Sequence, residues 1–380
     1  MSFLKTLLKA FILALALMLV VGSMILMMVA SEGTGRWIGG FALLVGIGPW
    51  LWCIGAERKS KVQVRMSQGF LAFGVAALLV MAPLAPDGHT SESARLHSRY
   101  SNGGWHYPRI HPGSAVPEID QINLGFYAAL MTDPYFNRAQ FRELSAMTNA
   151  IYAEMKQNPE FEVCGSALSS IYNEMAGLSF RNGHYYHYIP ANLDRTKPSR
   201  TLVFLHGSGG NFKAYVWLLS KIADRIGCTI IAPSFGLGNW EKAGAYEAIT
   251  AAIQDAGRHA AIDPDQIHLM GLSNGGKGVC LAESLPGQRF RSLIFLSGVF
   301  HHRIEPEELA KRLGARPALV LSGGSDDRVP WTSVDDYAVR MEGAGMQVTK
   351  HRFEGEDHFL FFHRADEVLE KVTQWMQSQR

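Results

Sequence analysis

The 380-residue sequence lacks the marks of several large functional classes. It has almost no excess charge, with 36 Lys and Arg against 34 Asp and Glu. Residues 1–86 hold seven of those basic and two of those acidic residues, leaving 29 and 32 beyond, a net of about −3. Phosphate backbones are bound by cationic faces, and this balance supplies none by charge excess, so no nucleic-acid partner is expected. The four cysteines, Cys53, Cys164, Cys228 and Cys280, stand at no spacing that implies a disulfide framework, and no pair is assigned. No metal-ligand spacing occurs, and neither metal nor cofactor is expected. There are no internal repeats and no low-complexity segment. After Pro86 there is no apolar run long enough to cross a bilayer.

Before Pro86 there are three. Phe11–Ala30, Trp37–Ala56 and Met66–Pro86 are charge-free and reach the roughly 20 residues that a membrane-spanning helix needs. A cleaved signal sequence would explain the first run alone, and a buried soluble helix pair would not explain three in succession. Pro49 and several glycines in the second run weaken a soluble helix but are tolerated within a membrane bundle. Lys5 and Lys9 precede the first run, and Arg58, Lys59, Lys61 and Arg65 fill the link between the second and third. The link 31–36 carries one Glu and one Arg. Positive flanks stay cytoplasmic, so the N-terminus is expected inside and everything after Pro86 outside. That places a multi-pass protein in a membrane, expected to be a bacterial inner membrane, with its soluble part on the periplasmic side.

The expected organisation is a three-helix transmembrane region over 1–86, a linker over 87–120, a helical segment over 121–183 and an α/β domain over 184–380. The stretch 87–110 is polar and rich in turn formers. In 121–178 the apolar residues Phe141, Leu144, Met147, Ile151 and Met155 fall at helical spacing, predicting two or three helices that pack on or cover a neighbouring site. From 184 onward, seven short apolar runs predict strands at Tyr185–Ile189, Thr201–Leu205, Thr229–Ala232, Ile267–Met270, Ser292–Leu296, Ala318–Leu321 and Val348–Phe353. Amphipathic stretches near 212–226, 243–259, 275–285, 306–313, 333–344 and 364–377 predict helices between them. Strands apolar on both faces and alternating with helices make a mostly parallel, doubly covered sheet, the α/β class.

In such sheets chemistry collects at the carboxyl ends of the strands. Four turns there carry suitable residues. "LVFLHGSGG" ends a strand in His206-Gly207-Ser208-Gly209-Gly210, where small residues let backbone N–H groups face a cavity, as an oxyanion site requires; a flexible strand-to-helix loop is the alternative. "GLSNG" places Ser273 between a strand and a helix in the G-x-S-x-G pattern of a nucleophile elbow. "SGGSDDRVP" puts Asp326 and Asp327 after a strand, either able to orient a base or simply to cap the following helix. "GEDHF" puts His358 past the last strand, a position that separates it from His301, His302, His351 and His363 as the candidate base.

The set HGSGG, GLSNGG, Asp before V-P and GEDHF, in this order, resembles the α/β-hydrolase superfamily over about 184–380, and within it the group of esterases, feruloyl esterases and dienelactone hydrolases. The resemblance implies the α/β-hydrolase fold, a mostly parallel sheet flanked by helices and here preceded by three transmembrane helices. It implies Ser273 as nucleophile, His358 as general base and Asp326 as acid, because Pro330 stands four residues after it, with Asp327 the alternate. It implies backbone oxyanion donors at Asn274 and at Ser208 or Gly209, and two-step acyl transfer without a cofactor.

Only about twenty residues separate the strands at 292 and 318, too few for a large cap. Trp240, Phe300, Phe359, Phe361 and Phe362 are candidates for an acyl pocket or for core packing. The expected function is a membrane-anchored serine hydrolase acting on small-molecule, lipid or cell-envelope esters. The alternatives are a serine peptidase or thioesterase on the same fold, or an inactive binding module.

Overall fold

A computed structural model describes residues 2–103, 108–178, 183–284, 290–314 and 316–379. The chain forms two compact units, one of residues 1–86 with 108–149, the other of 87–107 with 150–380.

The first unit is helical. Helices α1 (Ser2–Val29), α2 (Gly33–Glu57) and α3 (Lys61–Met81) are each long and apolar enough to cross a membrane. Helix α1 begins nine residues before the apolar run that predicted it, because Lys5 and Lys9 are good helix formers whose charges sit at its end. Lys9 pairs with Glu57 at 2.7 Å, and the Ser67 hydroxyl donates to the Gly48 carbonyl at 2.8 Å, a polar contact between α2 and α3. The outward apolar side chains of these helices are largely bare; Phe73 is 61% exposed.

Three more helices follow: α4 (Pro112–Ala115), α5 (Glu118–Thr132) and α6 (Arg138–Met155). The start of α5 is tied to the turn between α1 and α2. Asp120 is fully buried, and its Oδ1 accepts from the backbone N–H groups of Ser31 (2.7 Å) and Glu32 (3.1 Å) and from the Ser31 hydroxyl (3.0 Å). Burial pushes the Asp120 carboxyl up, and these three donors oppose that. Gly35 leaves the necessary room, since a Cβ there would meet Asp120 Oδ2 at 2.0 Å.

The second unit is an eight-stranded sheet with helices against it. In chain order it contains β1 (Leu96–Tyr100), α7 (Pro159–Val163), α8 (Leu168–Met175), β2 (His184–Tyr188), β3 (Ser199–Leu205), α9 (Lys213–Ile226), β4 (Thr229–Pro233) and α10 (Ala245–Ala256). There follow β5 (Ile262–Leu272), α11 (Gly275–Ser284), β6 (Ser292–Leu296), α12 (Pro306–Leu313), β7 (Pro317–Gly323), α13 (Trp331–Gly343), β8 (Gln347–Phe353), α14 (Leu360–His363) and α15 (Ala365–Ser378). The strand order is β1-β2-β4-β3-β5-β6-β7-β8, antiparallel at β1/β2 and β2/β4 and parallel from β4 to β8. This is the α/β-hydrolase fold. Its central strands are buried on both faces, Leu202–Leu205, Ile230–Ala232 and Leu293–Leu296 among them, which is why each reads as a continuous apolar run.

The linker reading of 87–120 is corrected here. Its residues 96–100 form β1, an edge strand whose sequence, LHSRY, hides its nature. Only Leu96 and Tyr100 are apolar, and the turn formers around it dominate the composition. Ser98 instead contacts His184 through a 2.9 Å hydrogen bond across the pair. Residues 104–107 and 179–182, inside the segments read as linker and helical, lie outside the described residues.

Candidate active site

Ser273 stands between the last residue of β5 and the first turn of α11, with φ at +51°. Such a left-handed backbone costs an L-residue about 1–2 kcal/mol, so the surroundings must hold it. They do so from three sides. The Ser273 N–H donates to the Leu296 carbonyl at 3.0 Å, and the Ser273 carbonyl accepts from Gly276 and Val299, both at 2.9 Å. The flanking glycines are there because backbone passes close by. A Cβ on Gly271 would lie 2.4 Å from Gly275, and one on Gly275 would lie 2.1 Å from the Leu205 carbonyl oxygen. Ser297, at the end of β6, is a second non-glycine with positive φ (+43°), and its N–H donates to the Leu321 carbonyl at 2.8 Å. Two strained serines thus meet at the carboxyl edge of β5 and β6, a feature that the sequence did not disclose for Ser297.

His358 reaches Ser273 from the turn after β8. Its Nε2 is 2.9 Å from Ser273 Oγ, and its Nδ1 is 2.8 Å from Asp326 Oδ2. The carboxylate is completely buried. Its second oxygen accepts from the backbone N–H groups of Arg328 (2.9 Å) and Val329 (2.8 Å), so every strong acceptor direction on that side is used. Of the two aspartates, Asp326 contacts the imidazole and Asp327 is exposed. Of the competing histidines, His301 accepts from the Arg303 N–H, His363 lies 3.5 Å from both Glu356 and Asp357, and His351 is on β8. The three groups spanning 273 to 358 are therefore joined by two hydrogen bonds at one sheet edge.

The loop after β3 faces the same serine. His206 is buried and held on both ring nitrogens: Nε2 accepts from the Phe235 N–H at 3.1 Å, which leaves Nδ1 to donate to the Gly207 carbonyl at 2.8 Å. Burial pushes its pKa down to about 4, so the ring is neutral at ordinary pH. Trp240 Nε1 donates to the His206 carbonyl at 2.8 Å. Among the described residues neither the Ser208 nor the Asn274 N–H donates to a protein acceptor. Gly209 does not serve alongside them. Its φ of +98° turns its N–H onto the Leu237 carbonyl at 3.2 Å, so the donor expected there is already occupied. The Asn274 side-chain amide donates to Ser208 Oγ at 2.8 Å, a contact between two of the expected residues that sequence spacing does not reveal.

Helix α8 lies in the segment read as helical, but the sequence did not show which loops it touches. Its Glu174 carboxylate accepts from the Gly236 N–H at 2.8 Å, and Ile171 packs against Gly210, so this helix braces the loops on either side of Ser208. Of the aromatic candidates, Trp240 and Phe361 are fully buried; the first holds His206 and the second stacks on Tyr215, so neither lines an open pocket. Phe300, Phe359 and Phe362 retain partial exposure. Among the described residues no group of three or more His, Cys, Asp or Glu side chains is arranged to hold a metal ion, and the four cysteines are unbridged and buried.

Neither a protein-family profile nor a curated protein sequence matches the chain. Solved structures do. Est1E from Butyrivibrio proteoclasticus is 17% identical, with a TM-score of 0.42 over 52% of this chain and 93% of its own. The esterase Est2 from Thermogutta terrifontis is 19% identical, with a TM-score of 0.41 over 52% and 85%. EstE1, a carboxylesterase cloned from a metagenomic library, is 18% identical, with a TM-score of 0.42 over 52% and 84%.

Proposed function

We propose that this chain is a membrane-anchored serine hydrolase that cleaves carboxylic esters through an acyl-enzyme. One observation carries the reading: Ser273, on a strained elbow, is 2.9 Å from an imidazole whose other nitrogen is 2.8 Å from a buried carboxylate. Buried Asp326 fixes the tautomer of His358, leaving Nε2 unprotonated and facing the hydroxyl. As Ser273 Oγ attacks the ester carbonyl carbon, its proton passes to Nε2. The C–O bond to the leaving alcohol then breaks, and that oxygen takes the proton from Nε2. Water repeats the sequence on the acyl-enzyme, releasing the acid and restoring the serine.

The negative charge that develops on the carbonyl oxygen falls to the N–H groups of Asn274 and Ser208. The Ser208 hydroxyl is proposed as a third donor: its oxygen accepts from the Asn274 amide, and its hydrogen can rotate toward the developing charge.

For the anchor, three candidate spans and the K/R-rich link 58–65 support an inside N-terminus and an outside hydrolase. The Asp120 contact with residues 31–32 agrees with three crossings, which put both segments on one side in either orientation.

The test is labelling by a fluorophosphonate. The wild-type chain is expected to label and the Ser273→Ala chain not to; absence of label on both would sink the reading. Comparison of p-nitrophenyl esters, acyl thioesters and aminoacyl amides then reads the preferred bond. A reporter fused after Gln379 that works only in the cytoplasm would overturn the orientation.

A further inference from the structure

Helix α5 presents a surface that the hydrolase chemistry does not use. Its charges, Glu118 and Asp120, lie in its buried first turn, and from Gln121 to Thr132 it has none. One side faces the loop before α6 and α6 itself, with Phe126 against Phe136 in the loop and Tyr127 against Phe141 on the helix. The other side is open. Gly125, Ala128 and Met131 are exposed at helical spacing, Met131 at 70%, and Tyr135 follows just beyond the helix end. Water is a poor partner for such a stripe unless something covers it.

The position of α5 names the cover. Asp120 holds its first turn to Ser31 and Glu32, which form the turn joining the first two candidate spans, and α5 also lies against α1. With α1 and α2 spanning a bilayer, that turn lies at its surface, and α5 starts there. Trp37, one turn into α2, and Leu84, at the end of the third span, lie at the helix ends on that same side and are bare at 64% and 68%. Trp and Tyr near the ends of spans mark the boundary between acyl chains and headgroups, and Trp37 and Tyr135 are both exposed. A helix whose first turn is tied down and whose remainder is uncharged fits that layer lengthwise, over about 22 Å at 1.5 Å per residue.

We infer that α5 is an interfacial helix, lying in the outer headgroup layer with the Gly125–Ala128–Met131 face on lipid. The inference rests on the membrane-anchor reading and deepens it: the bilayer is then contacted by a fourth, non-spanning element. No second protein is needed to cover the stripe.

The experiment uses the full chain in phosphatidylcholine–phosphatidylglycerol vesicles with an environment-sensitive fluorophore on one introduced cysteine. The native cysteines are all buried, and labelling of the unsubstituted chain sets their background. Met131→Cys and Ala128→Cys report on the stripe, Phe73→Cys on the middle of α3, and Arg142→Cys on the charged side of α6. Loss of emission to doxyl-labelled lipid but not to iodide at 131, 128 and 73, with the reverse at 142, is the expected pattern. Iodide quenching at 131 and 128 with lipid quenching at 73 overturns the inference while leaving the anchor intact. Iodide quenching at 73 as well overturns the anchor and the inference together.

Discussion

Leu79 on α3 and Leu269 on β5 are the same residue in opposite conditions: the first is 52% exposed, the second not at all. The first unit turns its leucines, methionines and phenylalanines outward, and the second turns them inward. Composition alone does not distinguish the two. What differs is the period and length of the apolar runs: the first unit's helices are long and apolar enough to cross a membrane, whereas a five-residue strand is covered by neighbouring helices. The lesson is that chemistry requiring sub-ångström placement is housed in the unit whose packing is closed on all sides. Ser273 and Asp326 follow β5 and β7, whose carboxyl ends are buried on both faces, while His358 reaches them from the half-exposed edge strand β8.

The sharpest break of that comparison removes the chemistry and leaves both packings alone. Ser273→Ala is expected to lower ester turnover by at least about ten-thousandfold, read as kcat/KM on p-nitrophenyl acetate, with an unchanged melting profile. A residual rate near wild type would take the nucleophile away from this serine. Next is the leucine pair itself. Leu269→Ala should cost about 2–5 kcal/mol in urea unfolding of detergent-solubilised protein, because it leaves a void under the elbow. Leu79→Ala should stay within about 0.5 kcal/mol; equal losses would erase the distinction between the two units.

A finer cut is made at the oxyanion loop. Ser208→Ala is expected to lower kcat by roughly ten- to hundredfold with KM little changed, and Ser208→Thr, which keeps the hydroxyl, to retain most of the rate. A drop confined to KM would show that the hydroxyl binds ground state and charge-bearing state alike.

A last contrast concerns pH. His97, His184, His187, His206 and His268 are buried, and burial holds each below its ordinary value, to about 4 for His97 and His206 and about 3 for His184 and His268. Unfolded histidines titrate near 6.5, so between there and about pH 3–4 the unfolded chain binds more protons. The second unit is thus expected to keep its full histidine-linked stability above about pH 6.5 and to lose it as the pH falls through that window. Each histidine contributes up to about 1.4 kcal/mol per pH unit. Urea midpoints at pH 7, 6 and 5 check this, and His268→Gln should flatten the slope; a stability independent of pH would contradict the neutral, buried state.

Much of this was legible in advance, for physical reasons that can be named. The six strands from Tyr185 to Leu321 were readable because burial on both faces forces nearly unbroken apolar runs, and Ser273 because close backbone contacts force glycines around it; β8, QVTKHRF, is a half-exposed edge strand with only Val348 and Phe353 apolar. β1 was not readable: an edge strand pairs on one side only, and LHSRY satisfies it with two apolar residues and a serine. Asp326 and Asp327 were indistinguishable by type, since only the backbone N–H groups of Arg328 and Val329 decide which carboxylate turns inward. Gly209 was a fair candidate until its backbone angle showed its N–H committed to Leu237.

The imidazole of His206, gripped at both nitrogens beneath the Gly207–Ser208 turn, bears on timing. A turn braced in this way is already shaped before any ester arrives, so the cradle for the tetrahedral oxygen does not wait on a slow rearrangement. Stopped-flow acylation by a small chromogenic ester should then rise in a single exponential whose rate climbs hyperbolically with ester, with no lag at its start.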